Sequence, residues 1–591
     1  MSLQKAKQTF YKKSEKDFEL IKGEKYLWKI KKTDEKKILS ICSDHNLSQP
    51  VARILLNKGY YTKKEINSFL FSSFEDNVFD SSLLKDSKLA LERLERAVEG
   101  KERILVFGDY DVDGITSTAL LMICLLPLGA NINFYLPNRA KEGYGLSKKA
   151  VEKAVKNGYD LLITVDNGIT AFDAAQLAYQ SGLDLIITDH HRPHEKLPKA
   201  IAIIDANQPG CKYPYKDLAG VGVIFKLVKM LYEKKGLEVP DKVYELLMLG
   251  TIADVAPLTK ENRFWVRFGL SKVNKQKSIA IKSLAKNSRL EKDCFDSLDI
   301  AFMIAPQINA LGRLDDPRQA VEFLVSSNLF EVERIGRILK GINEERKKLD
   351  RKIYLDIESA ILEKRIDLDN ENIIMAVSSD WPTGIIGLVA GRLVQNYGKP
   401  TFLFHLDKSG ILKGSCRSIP EFNIFEALNG CKDILQSFGG HSFAAGLRLK
   451  QDNLPELKSR LENKITKELS PQDLIPKINV DSYLQLPELK MNFLSDFQKL
   501  EPFGNQNKQP VFVIKNVSIL NKPVLLKDRH VKCSIFSEGV IKPIIFFNNP
   551  DFYKIFNNLG DKNFHVVAHV VKNEWGGRVN IELQGLDISI P

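Results

Sequence analysis

The chain has 591 residues, too many for one core, and on length alone divides into two to four domains. Hydrophobic residues at 44% and charged residues at 27% give a globular balance, and the one sizeable apolar run, residues 119–126, stops at Pro127 well short of a membrane span. The formal net charge of +12 suits a polyanionic partner, and half of it falls in residues 1–40, where twelve Lys/Arg face six Asp/Glu. That stretch reads either as a solvated arm or as an arm that touches nucleic acid. The opening MSLQKAKQTFYKK lacks the apolar core of an export signal. The seven cysteines (Cys42, Cys124, Cys211, Cys294, Cys416, Cys431, Cys533) are scattered with no CxxC pair. This argues against a zinc ribbon and against a disulfide framework, and fits a reducing cytoplasm.

Residues 1–80 read as an irregular basic leader with short helices. From residue 101 apolar, β-branched runs at 104–107, 132–136, 161–165, 185–188 and 201–204 alternate with stretches of helical spacing such as 147–157 and 171–181. The alternation predicts an α/β domain over 81–329, a doubly wound parallel sheet with helices on both faces. Residues 330–366 hold no proline, and Ile335, Ile338, Ile342, Leu349 and Ile353 recur at helical spacing. This is a long helix bridging two lobes, with a coiled-coil helix as the alternative; Arg346 interrupts the stripe and favours the bridge. A second α/β domain is expected over 367–468. Residues 469–591 turn to β character (VFVIKNVSIL, KCSIF, IKPIIFF, FHVVAHVV, RVNIELQGLDI), with Gly576-Gly577 as a hairpin turn, and a small barrel is the economical solution.

Four acidic clusters stand at element ends: FGDYDVDG (107–114), TVDNG (164–168) and TDHH (188–191) each follow a strand, and GTIAD (250–254) closes a helical run. The C-terminal strand ends of a doubly wound sheet share one edge, where ligands bind. Asp109, Asp111, Asp113, Asp166, Asp189 and Asp254 therefore crowd one crevice, and so many carboxylates cannot ionise together uncompensated. Divalent cations are the usual compensation; carboxylates suit Mg²⁺ or Mn²⁺, and a histidine ligand tilts the choice to Mn²⁺. Two cations joined by one carboxylate are suited to phosphate-ester hydrolysis. Each cluster alone has a plainer reading. A single Asp after a strand is usually a helix N-cap, and DYDVDG lacks the closing glutamate of a calcium loop, Leu120 standing there. Three clusters at successive strand ends are hard to explain as caps.

These motifs resemble those of the DHH phosphoesterase family, in its branch of single-stranded-DNA exonucleases: GDYDVDGITS, TVDNGI, TDHH and TIADVAPL in that order, then NALGRL (309–314), GSCRS (414–418), GGHSFAAG (439–446) and LEPFG (500–504). The resemblance runs from about residue 50 to the C-terminus. It implies a DHH domain, a DHHA1 domain and an OB-like single-strand-binding domain, and two Mn²⁺ or Mg²⁺ ions per site. Asp111 would bind one metal with support from Asp109, Asp113 the other, with His190 and Asp254 completing the second site and Asp166 bridging. His191 would face the scissile phosphate and Asp189 would orient the histidines. Arg313, Ser415, Arg417, Ser418 and His441 would hold substrate phosphates. The implied activity is 5′-to-3′ hydrolysis of single-stranded DNA in repair and recombination, by a monomer with no membrane attachment, with a helicase and a single-strand-binding protein as candidate partners. Two positions depart from the pattern: Cys416 stands where a glycine is common, and Asn505-Gln-Asn507 lacks the second glycine often found after LEPFG.

Among the C-terminal aromatics, Phe536, Phe546, Phe547, Phe552, Tyr553, Phe564 and Trp575 lie among lysines, a pattern that stacks bases in OB-folds, although most aromatics in a small barrel are core. Residues 471–591 carry fourteen Lys/Arg against twelve Asp/Glu, so charge marks no basic face there. Two rivals are a DHH enzyme of small substrates (short oligonucleotides, cyclic dinucleotides, pyrophosphate) and a catalytically silent DNA-binding relative. The long helix and extra barrel argue against the first, and the complete set of acids against the second.

Overall fold

The structure, a computed structural model, describes residues 17–138, 142–143, 145–575 and 578–591. The first sixteen residues of the basic arm and the expected Gly576-Gly577 turn lie outside the described residues. The chain sorts into two compact units, one of Lys64–Glu344 with Gln498–Gln509, the other of Met1–Lys63, Glu345–Phe497 and Pro510–Pro591.

The leader carries the expected short helices, at Glu35–His45, Gln49–Asn57, Lys63–Phe71 and Phe74–Asn77, but opens with a strand pair that was not expected. Phe18–Lys22 (β1) and Leu27–Lys31 (β2) form an antiparallel hairpin. The period-2 pattern of LWKIK, which buries Trp28 and Ile30, is the signal that five residues made easy to overlook.

In the first unit, Arg103–Gly108 (β3), Asn131–Tyr135 (β4), Leu161–Val165 (β5), Asp184–Thr188 (β6) and Ala202–Ile204 (β7) form a parallel sheet in the order β4-β3-β5-β6-β7. The expected runs become strands because both faces are covered; every residue of β5 is buried. One face packs on helices Val112–Leu125, Gly220–Lys234 and Asp241–Ala253, the other on helices Lys148–Lys156 and Phe172–Gln180. The chain leaves β3 for β4 on one side and returns to β5 on the other. The strand order therefore reverses at the C-terminal ends of β3 and β5, directly before Asp109 and Asp166.

The long helix is observed at Leu329–Leu362. It buries Val332, Ile335 and Leu339 before the boundary between the units at Glu344, and Ile353, Ile357 and Ala360 after it; no side chain from Glu344 to Lys352 is buried. Two separate apolar patches on one helix are what a bridge requires, and a coiled-coil seam would be continuous.

In the second unit, Ile374–Ser378 (β8), Thr401–Leu406 (β9), Ile411–Arg417 (β10), Ser437–His441 (β11) and Ala444–Lys450 (β12) form a sheet in the order β11-β12-β10-β9-β8, parallel only between β8 and β9. Lys477–Val480 (β13) pairs in parallel with β2, so the N-terminal hairpin belongs with the C-terminal part of the chain. After Ser482–Tyr483 (β14) come Phe512–Ile519 (β15), Val524–Leu526 (β16), His530–Ser537 (β17), Val540–Phe546 (β18), Phe564–Trp575 (β19) and Arg578–Ser589 (β20). Pairings β15–β19, β19–β20, β20–β18, β18–β17 and β17–β15 close a five-stranded barrel, with β14 and β16 as additions. Phe546, Phe552 and Phe564 are its core, whereas Phe536 and Phe547 are exposed at 37% and 44%.

Buried Asp587 on β20 accepts hydrogen bonds from Lys25 N (3.1 Å), Tyr26 N (3.0 Å) and Trp28 Nε1 (2.9 Å), and Trp28 is fully buried. Trp28→Ala should therefore destabilise this unit by about 3–5 kcal/mol, the range for truncating a buried aromatic. A urea melt followed by far-UV circular dichroism measures it; an unchanged midpoint would mean the hairpin is not part of the unit.

Candidate active site

Asp111 caps helix Val112–Leu125, accepting from Asp113 N (2.9 Å) and Gly114 N (3.2 Å). The plain N-cap reading is thus true of this residue, and it does not stop the carboxylate from facing its neighbours. Asp113, in the first turn of that helix, is buried, and its two oxygens accept from Gly220 N (2.6 Å) and Val221 N (2.8 Å) at the start of helix Gly220–Lys234. A helix N-terminus aimed at a carboxylate offsets part of its charge. Gly220 allows the approach: a Cβ there would lie 2.7 Å from Asp166 Cβ and 3.0 Å from Asp113 Oδ2. Gly220 was not singled out from the sequence; the cue was a glycine at the first position of an apolar helix.

Asp166 follows β5 with φ 62°, the left-handed region that only a surrounding structure holds at a non-glycine residue. His190 Nε2 lies 3.1 Å from Asp166 Oδ1 and 4.0 Å from Asp113 Oδ2, and its Nδ1 lies 3.9 Å from Asp254 Oδ2. Three sets of ligand atoms result, each within 4.8 Å of one another: Asp109, Asp111 and Asp166; Asp113, His190 and Asp254; and Asp166, His190 and His191. Asp166 and His190 each belong to two of them. His190 Nε2 is buried and makes no hydrogen bond despite its two carboxylate neighbours, as a nitrogen directed at a cation would be. Clustered hard oxygens with one imidazole form the donor set of a Mn²⁺ or Mg²⁺ site.

The electrostatics match. Burial, and then the charge of Asp254, pushes Asp113 up to about 7; burial and Asp111 push Asp254 to about 7 as well. Burial and then Asp113, Asp111 and Asp109 raise Asp166 well above the ordinary carboxylate range. Burial lowers His190. Asp189 contrasts with these. Burial would raise it, yet hydrogen bonds from His191 Nδ1 (2.7 Å), Ile169 N (2.9 Å), His190 N (2.8 Å) and His191 N (3.2 Å) leave it below its usual value. Against the opposing effect of burial, that carboxylate raises His191 to about 9.

Two further residues escaped the sequence reading. At the end of β7, buried Asp205 accepts from Asn207 N (2.6 Å), and Asn207 Nδ2 donates to the carbonyl of His190 (2.9 Å). The turn after the fifth strand thus holds the histidine segment in place. Arg313 lies in helix Ala305–Leu314, which closes on the DYD segment: a Cβ on Gly312 would lie 2.2 Å from the Tyr110 carbonyl oxygen.

In the second unit the register brings GSCRS and GGHSFAAG together. Arg417 pairs with Ala444, which pairs with His441; Ser415 pairs with Gly446, which pairs with Gly439. Arg417, Ala444 and His441 therefore form one row on one face, beside a row of Ser415, Gly446 and Gly439. On this platform small residues separate an exposed imidazole from a half-buried guanidinium, which donates to Ser415 Oγ (3.3 Å) and the Cys416 carbonyl (2.8 Å) and lies against Gly387. Cys416 points the other way, into the core, with its Sγ 3.1 Å from the Ala445 carbonyl, so it takes nothing from the platform. Ser418 does not join that face: it is buried, and its hydroxyl donates to the Phe422 carbonyl at 2.7 Å.

The DHH family, N-terminal domain, is matched by residues 103–251, the DHHA1 domain by 370–467 and the RecJ OB domain by 480–587. Parallel sheet, acid-lined switch point, platform and barrel thus define a protein of the DHH class. The single-stranded-DNA-specific exonuclease RecJ of Bacillus subtilis (strain 168) is 34% identical over 568 residues, 96% of this chain and 71% of its own. The crystal structure of RecJ from Thermus thermophilus in complex with Mn²⁺ superimposes with a TM-score of 0.77 at 26% identity, over 95% of this chain and 79% of that one. A structure of exonuclease RecJ bound to manganese gives 0.57 at 31% identity, over 66% of this chain and 98% of that one. The chain belongs to the RecJ family.

Proposed function

We infer that this chain is a single-stranded-DNA exonuclease that hydrolyses phosphodiester bonds with two divalent cations, Mn²⁺ or Mg²⁺, and works from the 5′ end. The observation that carries the reading is the sharing of Asp166 and His190 among three sets of ligand atoms at the sheet's switch point. Asp109, Asp111 and Asp166 would hold one cation, and Asp113, His190 and Asp254 the other, with Asp166 common to both. When bound, the pair supplies a water nucleophile of lowered pKa and polarises the phosphoryl group. His191, fixed by Asp189, carries a proton at neutral pH and so presents an N–H to a phosphoryl oxygen. Arg417 with Ser415 and His441 forms a platform suited to a terminal phosphate, and Arg313 is a further phosphate contact. Exposed Phe536 and Phe547 on the barrel offer stacking surfaces to bases. Repair and recombination, a cytoplasmic setting, a monomeric state, and a helicase and single-strand-binding protein as partners belong to the same reading; seven free cysteines accord with the reducing compartment. Among the described residues no helix is long and apolar enough to cross a membrane.

The test is digestion of DNA and RNA oligonucleotides labelled at either end. DNA should shorten from the 5′ end, stop with a chelator and resume with Mn²⁺ or Mg²⁺ but poorly with Ca²⁺, whose looser coordination positions water badly. Activity undiminished by chelator would sink the metal reading, and loss of the 3′ label first would sink the direction. In the same assay Arg417→Ala should slow 5′-phosphorylated strands about tenfold more than 5′-hydroxyl strands, because a phosphomonoester carries the greater charge. Equal slowing would remove Arg417 as the end-reader.

A further inference from the structure

The segment Gln498–Gln509 leaves the second unit after Phe497 and returns to it at Pro510, yet it packs wholly with the first. It falls inside the span matched by the RecJ OB domain, so residues of the barrel's stretch of sequence serve the DHH fold. Its anchoring is dense. Arg263, 1% exposed, donates to the carbonyls of Lys499 (3.1 Å), Leu500 (3.1 Å), Glu501 (2.7 Å) and Pro502 (3.4 Å), and to that of Phe69 (2.9 Å). Ser297 Oγ donates to the Phe503 carbonyl at 2.7 Å. Asn507 Nδ2 folds the strap on itself through the carbonyls of Leu500 (2.8 Å) and Pro502 (2.7 Å).

The strap's tip meets the chain directly after Asp254. Leu258 N donates to the Asn505 carbonyl at 2.9 Å, and Asn505 Nδ2 donates to the Val255 carbonyl at 2.7 Å. The turn between them is under strain. Helix Asp241–Ala253 ends with Asp254 as C-cap, Val255 N donates to the Ile252 carbonyl (3.1 Å) and Ala256 N to the Thr251 carbonyl (3.3 Å). This is a Schellman turn, whose left-handed position glycine usually fills. Here a β-branched valine occupies it at φ 59° with 63% of its surface exposed, so its side chain gains little packing to offset the strain. A turn that local sequence disfavours needs an outside hold, and Asn505 supplies one.

We propose that the 498–509 strap is a positioning element for Asp254, with Asn505 as the residue that fixes the carboxylate through the Val255 turn. The proposal rests on the reading of Asp254 as a metal ligand. Asn505 touches neither substrate nor cation. It acts by holding the peptide next to the ligand, as outer hydrogen bonds commonly orient ligands at metal sites. It also accounts for a departure from the family pattern: without the second glycine after LEPFG, Gln506 itself adopts φ 56° and turns Asn505 toward Val255.

The test is calorimetric titration of Mn²⁺ into the chelator-stripped full chain, where the reading is metal affinity rather than turnover. Asn505 is exposed, so Asn505→Ala should fold normally by dichroism yet bind the more weakly held Mn²⁺ about tenfold less tightly. Adding Val255→Gly to Asn505→Ala should restore most of that loss, because glycine adopts the left-handed position without an external hold. Asn505→Asp, which sets a carboxylate against the Val255 carbonyl, should be no better than alanine. Wild-type affinity in Asn505→Ala, or a loss that Val255→Gly leaves unmended, overturns the proposal. Asp254→Asn measured alongside separates the two levels: if it too binds Mn²⁺ normally, the assignment of Asp254 as a ligand fails first, whereas weakened binding there with normal binding in Asn505→Ala removes the strap's role alone.

Discussion

Asp166→Asn should lower the rate of hydrolysis at least about a thousandfold, since the charge stabilisation that a bridged cation pair gives a phosphoryl transition state is worth several kcal/mol and each tenfold is about 1.4 kcal/mol. Asparagine is the informative replacement because it tolerates the left-handed backbone at φ 62°, where alanine would add strain of its own. The fold should survive and the metal-free protein should gain stability. Burial and the charges of Asp113, Asp111 and Asp109 raise the folded-state pKa of Asp166 well above 3.8. A raised carboxyl contributes stability that is complete below its unfolded pKa and is lost as pH rises. The metal-free wild type should therefore weaken more than the variant does as pH rises from the ordinary carboxylate range, and thermal melts over that rise in the presence of chelator measure the gap. Added Mn²⁺ should reverse the order, because only the wild type then gains the full binding free energy. Residual activity near the wild-type rate in Mn²⁺ would break the two-cation assignment.

The centre of the fold was legible in the sequence because its signals are dense. A parallel sheet buried on both faces writes itself as short apolar runs, and acids at the ends of such runs share an edge whatever the loops between them do. Asp109, Asp111, Asp113, Asp166, Asp189 and Asp254 are accordingly placed in one crevice from residue types alone; the sets of ligand atoms contain all of these but Asp189, which holds His191 instead, and His190 entered through the family resemblance. What escaped was everything carried by backbone. Gly220 and Val221 serve Asp113 through N–H groups, and Asn207 serves His190 through a carbonyl, so neither contact leaves a side-chain pattern at its target. The β1–β2 hairpin escaped because two five-residue strands among lysines give too few alternations to stand out, and their partner β13 lies more than four hundred residues away. Ser418 shows the opposite error. Its place in GSCRS suggested a phosphate contact, but the pairing register sets Ser415 and Arg417 on one face and Cys416 on the core side, and Ser418, just past the strand's end, is buried. The strap 498–509 was read with the barrel because neighbours in sequence usually share a domain, and here tertiary packing overrides that expectation.

Asp189→Asn should cost about a hundredfold or more in rate, and the loss should grow with pH. Asp189 only accepts: its Oδ1 takes His191 Nδ1, His191 N and His190 N, and its Oδ2 takes Ile169 N. An asparagine has one acceptor atom and an NH₂, so in either orientation an amide N–H faces a donor at a position where Asp189 is only 1% exposed. One arrangement loosens the histidine segment from Ile169; the other frees His191 from its tautomer, the defect for which loss of the orienting carboxylate in hydrolytic triads costs up to about ten-thousandfold. The charge matters separately. The Asp189 carboxylate holds His191 at about 9 against the opposing effect of burial, so the wild-type imidazole stays protonated through neutral pH. Without that carboxylate the main support of the charged form is gone, with only Asp254 and Asp113 left to oppose burial, so the imidazole gives up its proton at lower pH and the N–H offered to the phosphoryl oxygen is lost earlier as pH rises. Bound cations pull both profiles downward and leave their order intact. The wild type should thus hold its rate to higher pH than Asp189→Asn, and the ratio of the two rates should be larger at pH 8 than at pH 6. A ratio that does not change with pH would mean that Asp189 orients the histidines by geometry alone, and that the proton on His191 has no part in the chemistry.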